Sequence, residues 1–150
     1  MSGVKLNFAS RRELLCKEVL ENSLIILASS SIKSRNSDSE YPFRQDSNFY
    51  YLSGFNEPDS LLVLKPGTSK PQFYIFCRDK DSVKEQWEGP RSGPAGAKLN
   101  YGADESFSIS MVNEILPSLL EGVRNIYFSM SSPNGLEEKI SKWVKELRNK

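Results

Sequence analysis

Apolar positions along the chain follow two patterns, a helical period and short continuous runs, and together they lay out a mixed α/β domain. Ser10-Arg11-Arg12-Glu13 has capping-box spacing, and Leu15, Cys16, Val19 and Leu20 then share one face, which predicts a first amphipathic helix ended by Asn22 and Ser23. Residues 23–28 (SLIILA) are apolar almost throughout, as in a strand covered on both faces. The Ser-rich residues 29–36 read as a loop. Ser47 is placed to cap a short helix carrying Phe49, Tyr50 and Leu52, which Gly54 breaks, and Asn56-Glu57-Pro58-Asp59 forms a turn cluster. Residues 60–64 (SLLVL) and 72–78 (QFYIFCR) predict two more strands. Too few residues separate them for a parallel crossover, so they should pair antiparallel.

In the second half, Ser82-Val83-Lys84-Glu85 is another capping box, opening a helix through Trp87 that Gly89-Pro90 stops. The segment RSGPAGAKLNYGADES reads as looped, because glycine and proline punctuate it. Val112, Ile115, Leu116, Leu119 and Leu120 form a helical face, and Pro117 within it predicts a kink or two abutting pieces. Residues 125–130 (NIYFSM) predict a fourth strand, reached by a connection long enough for a parallel crossover. Asn134 should cap a last helix with Leu136, Ile140, Trp143, Val144 and Leu147 on its apolar face and Lys145, Arg148 and Lys150 at its negative end. The expected fold is a three-layer α/β/α domain on a mixed sheet of four to six strands.

Length and composition narrow this picture. At 150 residues the chain fits one domain, 1–150, and no apolar run approaches the roughly 20 residues a membrane span requires. Basic and acidic residues number 20 and 19, for a net charge of +1, and no basic stripe argues for nucleic acid. The N-terminus has Arg11 and Arg12 without an apolar signal core, and Glu13 and Glu18 follow, so the chain as given reads as cytosolic or already processed. Cys16 and Cys77 lie on predicted core elements and read as reduced, buried thiols. There is no histidine, which removes imidazole bases and imidazole metal ligands from the candidate chemistry.

Carboxylates are the remaining acid/base groups. Glu57 and Asp59 flank Pro58, a spacing more typical of a turn than of a hydrolase pair. Asp38, Asp46 and Asp79 show no EF-hand-like spacing and read as caps or solvated groups. Gly89, Gly93 and Gly96 match neither phosphate-binding glycine pattern, and Pro90 and Pro94 remove two amide donors. Trp87 and Arg91 in that segment are residue types enriched at the energetic centres of interfaces, with a core position the alternative for Trp87.

Two blocks carry a resemblance. SDSEYPFRQDSNFYYLSGFNEPDSLLVL closely resembles the N-terminal domain of aminopeptidase P, the Xaa-Pro aminopeptidases of the pita-bread metallopeptidase superfamily, and RDKDSVKEQWEGPRSGPAGA resembles that family's next segment. The resemblance implies a creatinase/aminopeptidase P N-terminal-type fold with a ribonuclease H-like motif. It implies a parent enzyme that removes the residue before proline, using two Mn-type ions held in a C-terminal catalytic domain by two Asp, one His and two Glu. This chain, without histidine, does not contain that set and is expected to be inactive alone, with the catalytic domain beginning beyond it. Expected partners are that domain, neighbouring subunits and peptide substrate, in the cytoplasm or alternatively the mitochondrial matrix; the GPRSG wording resembles the organellar branch. Trp87 matches a family Trp that reaches a neighbouring subunit's active site, and Arg91 accompanies it at the pocket rim. Tyr41, Arg44, Gln45, Asp46, Tyr51, Gly54, Glu57 and Pro58 match structural motif positions, with Arg44, Gln45 and Asp46 expected to organise their loop by hydrogen bonds. Two alternatives remain: a free-standing interaction module, or a small carboxylate hydrolase.

Overall fold

In this computed structural model the described residues are 2–31, 34–36, 39–40, 43–67, 70–129, 132–133 and 135–148. In chain order the elements are α1 (Ser2–Glu18), β1 (Ser23–Ala28), β2 (Ser34–Asn36), β3 (Ser39–Glu40), α2 (Ser47–Ser53), β4 (Leu61–Lys65) and β5 (Gln72–Cys77). They continue with α3 (Ser82–Glu88), α4 (Gly93–Tyr101), β6 (Glu105–Ser108), a 3₁₀ turn (Ile109–Met111), α5 (Val112–Leu119), β7 (Asn125–Tyr127) and α6 (Leu136–Arg148). Tyr41, Asp38 and the Asn134 cap lie outside the described residues.

One five-stranded sheet runs β6-β5-β4-β1-β7. β4 pairs antiparallel with both β1 and β5, while β6 and β7 add parallel at the two edges. The sheet is therefore mixed, and the short connection between β4 and β5 accounts for their antiparallel pairing. Period-two alternation then splits the strand residues between two cores. Ile25, Leu27, Leu62, Leu64, Phe73, Ile75 and Cys77 meet Cys16 of α1, Phe49 and Leu52 of α2, and Ala97 of α4. On the opposite face Leu24, Ile26, Val63 and Phe76 meet Leu116 of α5 and Leu136, Ile140 and Trp143 of α6. The three-layer architecture expected from the sequence is the one found.

Several boundaries differ from expectation. α1 passes through Ser10 instead of starting there, since no proline interrupts the preceding residues, and Leu20 lies beyond its end, exposed. At Ser47 and Ser82 the preceding residue does the capping: Asp46 accepts from Phe49 N, and Asp81 from Val83 N and Lys84 N. An aspartate carboxylate is both a good capping acceptor and a charge suited to the helix dipole. Residues 29–36 are not all loop, because β2 pairs with β3. RSGPAGAKLNYGADES holds α4 and the start of the edge strand β6 where a loop was expected. Pro94 sits in the first turn of α4, where its missing N–H costs nothing, Ala95, Ala97 and Leu99 favour helix, and Gly102 ends it in the left-handed conformation at φ 77°. α5 continues through Pro117 as one helix.

Candidate functional site

The central motif and the Trp87 segment come together at one end of the sheet. The β4–β5 register pairs Leu61 with Phe76, so the residues before β4 and those after β5 emerge side by side. Beyond the paired strands, Ser29 N donates to Ser60 O at 2.9 Å and Ser60 N to Ser29 Oγ at 2.7 Å, tying β1 into the same edge.

Gln45 organises the turn from within. Its Oε1 accepts from Ser30 N and Asp46 N, both at 2.9 Å, and its Nε2 donates to Phe55 O at 3.2 Å and Glu57 O at 2.9 Å. One side chain therefore joins the exit of β1, the start of α2 and the approach to β4. Arg44, its neighbour, is exposed and makes no hydrogen bond among the described residues. Gly54 ends α2 at φ 71°, and a Cβ there would lie 2.7 Å from the Phe8 ring, so conformation and close approach both require glycine. Tyr51 is half exposed and its ring lies 4.2 Å from the Arg11 guanidinium carbon. Pro58 is buried, and its carbonyl accepts from Ser60 Oγ at 3.1 Å.

Glu57 links this turn to the later segment. Its Oε2 accepts from Ser92 N at 2.9 Å and its Oε1 lies 3.5 Å from Arg78 Nη2, with both side chains only 14% exposed. Asp59, by contrast, is exposed in a left-handed conformation at φ 55°. The two carboxylates do not form the paired, cleft-lining arrangement a hydrolase needs.

Arg91 closes the segment onto itself. Its Nη1 donates to Asp79 O at 3.1 Å, its Nη2 to Glu88 Oε1 at 3.0 Å, and its backbone N to Glu85 Oε1 at 2.9 Å. Glu85 Oε2 also accepts from Asp81 N at 2.9 Å, so one carboxylate receives an amide from each side of α3. Trp87 stands outside all of this at 85% exposed, so the core position is excluded.

Hydrogen bonds from the Arg91 and Asp81 amides, with Lys80 adding to them, hold the Glu85 carboxyl below its ordinary value of 4.5. A depressed carboxyl favours the folded clamp above that ordinary value and releases it as pH falls through the lower folded one. In an acid titration followed by NMR, the Asp81 and Arg91 amide shifts are expected to move together with a midpoint under 4.5; independent midpoints, or one at or above 4.5, would count against the clamp.

Among the described residues no three His, Cys, Asp or Glu side chains converge on a metal-sized site. Both cysteines are free and buried, and burial pushes the Cys16 thiol up to about 11 and the Cys77 thiol up to about 12, far from a reactive thiolate. Asp46 and Asp79 serve as a helix cap and as acceptor for Ser108 Oγ. A groove of about 630 Å³ is walled by Leu14, Leu15, Ile25, Leu27 and Tyr127, largely apolar side chains. No helix among the described residues is long and apolar enough to cross a membrane.

These features define a three-layer α/β domain that displays an exposed tryptophan on a polar brace. Comparison with known proteins gives the family. The family model described as "Aminopeptidase P, N-terminal domain" matches residues 8–127, and the chain belongs to that family. It is 35% identical over 145 residues to intermediate cleaving peptidase 55 of Saccharomyces cerevisiae, covering 95% of this chain and 28% of that protein. It is 37% identical over 123 residues to the Xaa-Pro aminopeptidase of Haemophilus influenzae, covering 82% of this chain and 29% of that protein. Among solved structures, aminopeptidase PepP of Pseudomonas aeruginosa superposes with a TM-score of 0.91 at 36% identity, over 97% of this chain and 33% of that one. The chain thus spans a third or less of these proteins' length and corresponds to the N-terminal domain of Xaa-Pro aminopeptidase-like proteins.

Proposed function

We propose that this chain is the non-catalytic N-terminal domain, 1–150, of a metal-dependent aminopeptidase that removes the residue preceding proline. Trp87, with Arg91 behind it, contacts a neighbouring subunit and forms part of the rim of a substrate pocket built elsewhere in the protein. The observation that carries this reading is an 85%-exposed tryptophan on a helix without a buried residue, tied down at both ends by the Glu85 carboxylate. Exposing so large an apolar side chain is unfavourable, and a partner that covered it would recover that free energy. Two Mn-type ions and the peptide-bond chemistry belong to the catalytic part of the parent protein. Cytoplasm is the expected compartment; similarity to the relative named intermediate cleaving peptidase 55, mitochondrial, of Arabidopsis thaliana supports the mitochondrial matrix as the alternative.

In the full-length protein that carries this chain, Trp87→Ala is expected to lower kcat/KM for an Xaa-Pro peptide about tenfold, the usual cost of truncating an interface tryptophan. Unchanged kinetics and unchanged oligomeric state would remove the role assigned to Trp87.

A further inference from the structure

The helix that carries Trp87 buries none of its side chains. At seven residues it is also far shorter than a helix that holds itself together in water. Something other than core packing must therefore set the direction in which the tryptophan points. Two consecutive amides at the exit of α3 are taken by carboxylates: Arg91 N by Glu85 and Ser92 N by Glu57, both at 2.9 Å. Glu85 belongs to α3 itself and can only shape the segment internally. Glu57 belongs to the turn before β4, 35 positions away, and its backbone carbonyl is fixed by Gln45. Among the described residues it is also the carboxylate that meets Arg78, whose Nε is buried without a partner.

Resting on the proposed role of Trp87, we infer that Glu57 is a positioning residue for it, through a bond that, beside the Arg91–Asp79 contact, fastens the tryptophan-bearing segment to the end of the sheet. The charge on Glu57 matters twice, as acceptor for the Ser92 amide and as counter-ion to Arg78. Each of these is stronger with a carboxylate than with a neutral amide.

The test is a double-mutant cycle in the full-length protein, combined with hydrogen exchange on the 150-residue chain. In the chain, Glu57→Ala should speed amide exchange across residues 82–92 about tenfold, the scale of a lost hydrogen bond to a charged acceptor, while β1 and β4 exchange as before. Glu57→Gln, which keeps an oxygen for Ser92 N, should recover part of that protection and stands in if the alanine variant does not fold. In the full-length protein, Glu57→Ala should raise KM for the peptide with little change in kcat, and adding it to Trp87→Ala should cost less than twofold more. Independent, multiplying losses, or exchange in 82–92 unchanged in both variants, would overturn the inference. If Trp87→Ala alone has no kinetic effect, the proposed function fails, while the exchange measurement still decides whether Glu57 holds the segment.

Discussion

Gln45→Ala is expected to lower the unfolding free energy by about 3 kcal/mol, within the range of about 2 to 6 kcal/mol spanned by four hydrogen bonds worth about 0.5 to 1.5 kcal/mol each. Those bonds reach Ser30, Asp46, Phe55 and Glu57, so the loss falls at once on three segments that no single backbone ladder connects. Domains of this size lose roughly 2–4 °C of melting temperature per kcal/mol, which puts the expected drop at roughly 6–12 °C. Urea and thermal unfolding read it directly. Arg44→Ala, one position earlier and exposed, should stay within about 0.5 kcal/mol of the parent. A Gln45→Ala loss of under about 1 kcal/mol would mean that the turn holds itself and that Gln45 is not its organiser.

The sheet's core was legible because its strands carry unbroken apolar runs and because the short link between β4 and β5 leaves them only antiparallel pairing. Leu136, Ile140 and Trp143 of α6 were equally plain, since a 3.6-residue period over thirteen residues has one reading. α4 was hidden by its own composition: Gly93, Pro94 and Gly96 look like breakers, and only their place in the first turns makes them compatible with helix. β6 was hidden because ESFS is a half-polar edge strand recruited by β5 and carries no apolar signal of its own. At both capped helices a serine and an aspartate stood side by side, and sequence spacing favoured the serine while the carboxylate made the bond.

The candidate site was legible in its parts but not in its joints. The resemblance pointed to Trp87, Arg91 and Glu57 separately, and nothing in the spacing of residues 57, 78 and 92 announces that one carboxylate joins them. Trp87 was open between core and surface until its exposure was known. Through the resemblance Gln45 was expected to organise its loop by hydrogen bonds, but its four partners come from three separate stretches, which residue spacing does not announce.

The second large expectation concerns activity. Without histidine anywhere in its sequence, and with Glu57 engaged by Ser92 and Arg78 while Asp59 faces solvent, the chain offers no assembled acid/base or metal centre among its described residues. Its relatives are about three times longer. On the proposed function, the reaction belongs to the remainder of such proteins and this domain shapes access to it. Incubation of the 150-residue chain with Mn²⁺ and an Xaa-Pro-Xaa peptide, followed by mass spectrometry, tests this most directly. The account predicts an intact peptide at every time point; turnover that rises with chain concentration, and is lost in Glu57→Ala, would contradict it.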